Sequence, residues 1–319
     1  MFYVLLHDND YLRYYVELYQ KLNIKMIALG IIFLVLFFHP PESVHAQDRE
    51  TVKTKASEEK INYLLTQTLR LGKNPVREAF FSADSMQIIA LGNNHNIEIF
   101  QSQTGKRKRV IPTQDHQALT MILHPGGRMA VTGGRDDTIR LWDTSSTLGQ
   151  GVLRGHLDDL SILSMDSSGD HLLSGSLDGS LILWNMKTQE LISIKEEAHQ
   201  GEISSLVFQP SGILAVSGGQ DGKVKLWSLP ELKLIHSFNK HRKRVTHTQF
   251  TVRGDQLLTS SMDGILGIWD WEKKRQVREI IVKQPISGFD LPPNSFEGVI
   301  ATKRGAIRIW NFEKGIKSF

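Results

Sequence analysis

Through most of this chain, apolar residues alternate with polar ones in bursts a few residues long. The pairs Ile97/Ile99, Ile139/Leu141, Leu181/Leu183, Val224/Leu226, Leu266/Ile268 and Ile307/Ile309 each stand just ahead of a large aromatic residue. A spacing of two places each pair on one face of a β-strand and the neighbouring aromatic on the other. Asp178-Gly179, Asp221-Gly222 and Asp263-Gly264 come directly before three of these strands and supply the left-handed positions of a tight hairpin. Small-residue strands such as Leu172 to Ser176 and Ala215 to Gly218 lie further upstream, after the apolar segments Val207-Phe208 and Gln249-Phe250. Helical periodicity is absent there, so the pattern predicts an all-β domain of several antiparallel strands per unit.

The units repeat. Trp142, Trp184, Trp227, Trp269 and Trp310 are spaced by 42, 43, 42 and 41 residues, with Phe100 lying 42 before the first. A second ruler, Ser85, Gly127, Gly169, Gly212 and Gly254, runs at 42, 42, 43 and 42. Two independent markers with one period identify a repeat architecture.

The stretch from Arg154-Gly155-His156 through Leu173-Ser174-Gly175-Ser176-Leu177-Asp178-Gly179 to Leu181-Ile182-Leu183-Trp184-Asn185 resembles one blade of a WD-repeat β-propeller, and Trp142-Asp143 and Trp269-Asp270 supply the literal dipeptide. The resemblance covers residues 66–311. Repeat arithmetic then predicts six four-stranded blades, the more usual seven needing more chain than there is. The chain stops soon after Trp310, short of an outer strand for the sixth blade. By resemblance, an N-terminal strand at 66–71 completes that blade and closes the ring, removing an exposed sheet edge. The domain is expected over 66–319, preceded by a polar linker at 47–65.

Four residue types recur in blades two to five: Thr132, Asp136, His116 and Trp142; Ser174, Asp178, His156 and Trp184; Ser217, Asp221, His199 and Trp227; Thr259, Asp263, His241 and Trp269. Ser, His and Asp together invite a hydrolase reading. A catalytic centre is needed once, however, and this constellation appears four times. The resemblance implies a structural hydrogen-bonded chain from the indole through hydroxyl and imidazole to the carboxylate. Blade one has Phe100, Asn94 and Ala90 at the matching positions, and blade six has Trp310 but Arg304 and Ile300. The seam between these two blades is therefore expected to be the weakest part of the ring.

Composition narrows the chemistry. The 319 residues include 40% hydrophobic and 23% charged residues, a globular balance, and the formal net charge of +4 is mild. With no cysteine, disulfides, thiolate nucleophiles and cysteine metal sites are excluded. Nucleotide loops, metalloprotease helices, nucleophile elbows and calcium loops have no match. Asp166 to Asp170 reads as a strand-joining turn, and no catalytic residue, metal or cofactor is expected. Basic residues cluster at Lys106 to Arg109 and Lys273 to Arg275 on one face, and at Lys240 to Arg244 and Lys303-Arg304 on the other, where the Asp turns lie.

The resemblance implies a non-enzymatic scaffold that binds a protein or other anionic partner on that upper face. The contacts it implies are Arg77, Arg135, Asp159, Leu177, Glu202, Gln220, Arg244, Met262, Lys303 and Arg304. Nucleic acid is not expected, because no aromatics interleave the basic residues. The rival reading is a propeller enzyme or small-ligand binder working through the central channel. It would need acidic, His or Arg residues converging at one channel mouth.

Residues 1–46 read differently. Ile27 to Phe38 is a run of 12 residues, apolar but for one glycine, with Lys21 and Lys25 before it and Val44-His45-Ala46 after it. That is the anatomy of a secretory signal peptide cut after Ala46, and the run is too short to cross a bilayer. An exported, periplasmic or secreted monomer is expected; an anchor left uncut at 27–38 is the alternative.

Overall fold

The computed structural model describes residues 4–6, 34–36, 75–113, 115–146, 148–291, 297–311 and 315–316. Six sheets succeed one another along the chain. Two short strands come first, β1 (Val4–Leu6) and β2 (Leu34–Leu36). Blade one is β3 (Val76–Phe81), β4 (Gln87–Gly92), β5 (Ile97–Gln101) and β6 (Arg107–Ile111). Blade two follows as β7 (Ala118–Leu123), β8 (Met129–Gly134), β9 (Thr138–Asp143) and β10 (Gly149–Arg154), and blade three as β11 (Leu160–Met165), β12 (His171–Ser176), β13 (Leu181–Asn185) and β14 (Glu190–Lys195). Blade four is β15 (Ile203–Phe208), β16 (Leu214–Gly219), β17 (Val224–Ser228) and β18 (Lys233–Phe238). Blade five is β19 (Val245–Phe250), β20 (Leu257–Ser261), β21 (Ile265–Asp270) and β22 (Arg275–Ile281). Blade six is β23 (Ile286–Asp290), β24 (Glu297–Thr302), β25 (Ile307–Asn311) and β26 (Gly315–Ile316).

Within every blade the strands pair antiparallel in chain order, from the innermost to the outermost. The fold is a six-bladed β-propeller. An irregularity recurs near the start of each innermost strand, between Leu160 and Ile162, Ile203 and Ser205, or Val245 and His247. Another recurs where the third strand meets the outermost, between Leu183 and Trp184 or Leu226 and Trp227.

The core lies between blades. One cluster joins Phe80, Ile89 and Ile99 of blade one to Met121, Ala130 and Trp142 of blade two. The next joins Ile122, Val131 and Leu141 to Leu163, Leu172 and Trp184, and the series continues around the ring to blade six. Each tryptophan therefore packs toward the preceding blade, as its place opposite the inward apolar pair requires.

Small second strands permit this closeness. A Cβ on Gly133, Gly175 or Gly218 would stand 2.5, 2.8 or 2.4 Å from the nearest side-chain atom of Leu160, Ile203 or Val245 in the next blade. Gly218→Ala is therefore expected to lower stability by about 1–3 kcal/mol through overpacking. Thermal unfolding checks this, and an unchanged midpoint would show that the blades can part there at no cost.

The last blade differs from its expected form. The chain does supply a fourth strand after Trp310: Ile316 pairs with Trp310 and Gly315 with Asn311. This strand is two residues long, and Ile307 and Ile309 of β25 stay 48% and 39% exposed. Residues 66–71 lie outside the described residues. At the other side of the seam, β1 runs parallel to β2 and meets β3 at Val4 opposite Ala79, while β2 packs against β23. These two strands come from the stretch whose sequence reads as a leader.

Candidate functional site

Each tryptophan quartet is a buried hydrogen-bonded chain. In blade four, Trp227 Nε1 donates to Ser217 Oγ at 2.8 Å, the same oxygen lies 2.7 Å from His199 Nε2, and His199 Nδ1 lies 2.9 Å from Asp221 Oδ1. The indole N–H can only donate and the ionised carboxylate can only accept. The chain thus has one consistent direction: indole to hydroxyl, hydroxyl to Nε2, and Nδ1–H to carboxylate. Blade two repeats it from Trp142 through Thr132 and His116 to Asp136, at 2.8, 2.9 and 2.6 Å. Blade five repeats it from Trp269 through Thr259 and His241 to Asp263, at 2.9, 2.8 and 3.2 Å.

Blade three varies the theme. Trp184, Ser174 and His156 are joined at 2.8 and 2.7 Å, but His156 Nδ1 meets Ser180 Oγ at 2.7 Å and stands 3.7 Å from Asp178 Oδ2. Asp178 instead accepts backbone N–H bonds from Leu157 at 2.9 Å and Ser180 at 2.7 Å, closing the upper turn.

Burial alone would raise the Asp221 carboxyl, but the bonds from His199 and from the Lys223 N–H outweigh it and hold it down to about 2. Asp136, Asp178 and Asp263 are likewise held below the usual carboxylate range against the opposing effect of burial, Asp136 chiefly by Thr138, Asp178 by the nearby His156 imidazole together with Ser180 and the Leu157 N–H, and Asp263 by His241. A carboxylate depressed in the folded state stabilises it above the unfolded value and loses that contribution as pH falls through the folded value. The four hydroxyl residues are fully buried, with each oxygen engaged on two sides. None is placed as a nucleophile facing a substrate.

The surface-facing candidates lie on one side of the ring. Backbone bonds from Leu177 N to Asp159 O, Gln220 N to Glu202 O, Met262 N to Arg244 O and Lys303 N to Pro285 O, each 2.9–3.0 Å, tie every second-to-third-strand turn to the loop entering its own blade. Arg135, Gln220, Arg244, Lys303 and Arg304 are exposed, Leu177 is 40% exposed, and Arg77 and Met262 are half-buried. Burial lowers the pKa of the Arg77 guanidinium, and the Arg135 charge acts in the same sense.

Two of the expected basic contacts are already partnered. Arg244 holds Glu202 of the preceding blade in a bidentate pair at 2.6 and 2.7 Å, and Arg135 Nε lies 3.8 Å from Asp159 Oδ2. Lys240, Arg242, Lys243, Lys303 and Arg304 carry exposed positive charge on this side. In the Lys240 to Arg244 cluster, His241 is buried within its quartet.

Sequence reasoning missed Leu157, which is 88% exposed on the loop entering blade three and donates its backbone N–H to Asp178, the residue after Leu177. Its signal was available. The residue following the quartet histidine is Gln117, Gln200 or Arg242 in the other blades, and Leu157 alone is apolar.

The model for the WD domain, G-beta repeat, matches residues 106–143, and that for the anaphase-promoting complex subunit 4 WD40 domain matches residues 167–253. The chain belongs to the WD-repeat β-propeller family. The p21-activated protein kinase-interacting protein 1-like of Gallus gallus is 35% identical over 106 residues, covering 32% of this chain and 28% of that protein. Pre-mRNA-processing factor 19 of Mus musculus is 27% identical over 96 residues, covering 30% and 19%. The U3 snoRNP-associated protein-like EMB2271 of Arabidopsis thaliana is 26% identical over 221 residues, covering 62% and 44%. The WD-repeat chain described here thus spans less than half the length of these relatives.

Proposed function

We propose that this propeller is a non-enzymatic scaffold that captures a protein partner on the face bearing the Asp turns. The carrying observation is Leu157, a leucine 88% exposed on the loop entering blade three, whose backbone N–H is held by Asp178, the neighbour in sequence of the 40% exposed Leu177. An apolar anchor on a rigid support loses little entropy on binding, and such anchors with a polar rim dominate protein interfaces. Arg242, Lys243, Lys303 and Arg304 supply positive rim charge for an acidic flank of the partner. The relatives named for pre-mRNA processing, snoRNP association and kinase interaction accord with a scaffold, and burial of all four quartet hydroxyls weighs against hydrolysis.

Export from the cytosol, with cleavage after Ala46, belongs to the same reading and rests on the apolar run 27–38. Ring closure by residues 66–71 belongs to it too, supported by the two-residue β26 and the exposed Ile307 and Ile309 beside it.

Crosslinked pull-down from the native cell with Leu157→Ser/Leu177→Ser is expected to lose the captured protein at least tenfold with an unchanged melting temperature. Lys303→Glu/Arg304→Glu should weaken capture less and mainly at low salt. Undiminished capture by the leucine variant would overturn the reading. Arg244→Glu is a poor probe, because it would place a carboxylate against Glu202.

A further inference from the structure

A cleft of about 430 Å³ opens between blades one and two on the face opposite the Asp turns. Ile99 forms part of its wall, and Lys108, Arg109 and Arg128 line it together with Asp84. Arg109 Nη1 donates to Thr144 O at 2.7 Å, which fixes the guanidinium across the blade boundary. Among the described residues no carboxylate lies within ion-pair distance of Lys108, Arg109 or Arg128. Asp84 acts on Lys108 only at longer range; its Oδ1 is occupied by Ser82 Oγ at 2.6 Å and Met86 N at 2.9 Å.

The repeat provides an internal comparison. Lys108 occupies the irregularity between the third and outermost strands, and the matching residues are Gln150, Ile192, Ile235 and Val277. Arg109 pairs with Ile99, whereas Gly151, Ser193 and His236 take that place in blades two to four and Arg278 in blade five. Arg128 accepts a backbone bond from Thr144 N, as Asp170 does from Met186 N and Ile213 from Leu229 N. The next boundaries around the ring therefore bring together Gly151 with Asp170, then Ser193 with Ile213. Among the first four boundaries, three cations meet at the first alone. The other basic cluster on this face, in blade five, is answered locally: Lys273 and Arg275 lie 3.2 and 3.9 Å from Asp270. Folding thus leaves the cations of this cleft without a carboxylate partner among the described residues while pairing Lys273 and Arg275 of blade five.

We infer that the cleft between blades one and two binds a dianionic phosphomonoester group. Its three cations less the Asp84 carboxylate leave a charge of +2, matching a phosphomonoester dianion, and guanidinium forks suit phosphate oxygens. The volume exceeds that of a phosphate group and leaves room for the carrier, either a side chain of a peptide or a small ester. This site stands apart from the upper-face reading, and its variants touch no residue of that face.

The test is isothermal titration calorimetry of the full chain at low salt with inorganic phosphate, glycerol 3-phosphate and an alanine-flanked phosphoserine peptide. All three are expected to bind, more weakly as salt rises, and the tighter of the last two identifies the carrier. Lys108→Gln/Arg128→Gln, which alters exposed side chains and no hydrogen bond of the fold, is expected to weaken each at least tenfold. Arg109→Gln should do the same, with a melting temperature reporting the lost bond to Thr144. Lys273→Gln/Lys274→Gln should leave binding unchanged. Absence of binding, equal binding by the Lys108/Arg128 variant, equal weakening by the blade-five variant, or equal affinity for the monoanion methyl sulfate would each overturn the assignment.

Discussion

Replacing Ser217 by alanine is expected to destabilise the propeller by about 2–4 kcal/mol, although the change removes a single oxygen atom. That oxygen accepts from Trp227 Nε1 at 2.8 Å and satisfies His199 Nε2 at 2.7 Å, and Trp227, Ser217 and His199 are all buried. Alanine leaves the indole N–H and the imidazole nitrogen without a partner, and each unsatisfied group costs roughly 1–3 kcal/mol where water cannot reach. Urea unfolding measures the loss. Adding Trp227→Phe to Ser217→Ala should then cost less than Trp227→Phe does alone, since the indole N–H has already lost its acceptor. Strict additivity, or a single-variant loss below about 0.5 kcal/mol, would show that the quartet is not a connected chain. A catalytic serine would behave differently, its removal costing activity and little stability.

The contacts between blades follow a rule that was present in the sequence. Residues one period apart occupy equivalent positions in neighbouring blades and face each other across the boundary. Arg244 and Glu202 are 42 apart and form a bidentate pair, and Glu78 and Thr120 are 42 apart and share a 3.0 Å bond. Reading the chain one repeat out of step would have found both, and would have shown that Arg244 is not a free cation. The quartets were legible because indole, hydroxyl, imidazole and carboxylate form a satisfiable chain at a fixed spacing. Ser180 was not, because the matching place two residues after the quartet Asp holds a hydroxyl only in blade two, as Thr138, and Lys223 and Ile265 in blades four and five. Nor was β26, since two residues carry no alternation. The basic cleft escaped for another reason: Lys108 and Arg128 are 20 residues apart in sequence and meet only when blade two packs on blade one.

Two titratable groups, Glu78 buried and His247 half-buried, are expected to tilt stability in opposite directions across the same pH range. Glu78 and His247 occupy equivalent register positions on the innermost strands of blades one and five, opposite Leu91 and Ser260. Burial pushes the Glu78 carboxyl up to about 7, although the Met121 N–H, the Thr120 hydroxyl and the Arg77 charge all favour its ionised form. Burial alone brings the His247 imidazole down to about 4, where it packs edge-on against Phe289 with ring centres 5.1 Å apart. An acid raised in the folded state contributes fully below its unfolded value, and that contribution is lost as pH rises through the folded one. Glu78 thus removes stability between about pH 4.5 and 7. A base lowered in the folded state does the reverse, so His247 removes stability as pH falls from about 6.5 to 4. Each displacement corresponds to on the order of 3 kcal/mol, so the two slopes largely offset each other in the native chain. Glu78→Gln can keep both bonds, its amide oxygen accepting from Met121 N–H and its NH₂ donating to the Thr120 hydroxyl. It should be more stable than the native protein at pH 8 and should lose stability steeply toward pH 4.5. His247→Gln should show the opposite trend, gaining stability as pH falls from 7. Urea unfolding at four pH values between 4.5 and 8 distinguishes these outcomes. If Glu78→Gln kept the native pH profile, the carboxyl would have to titrate near its ordinary value, and its burial between the first two blades would be only partial.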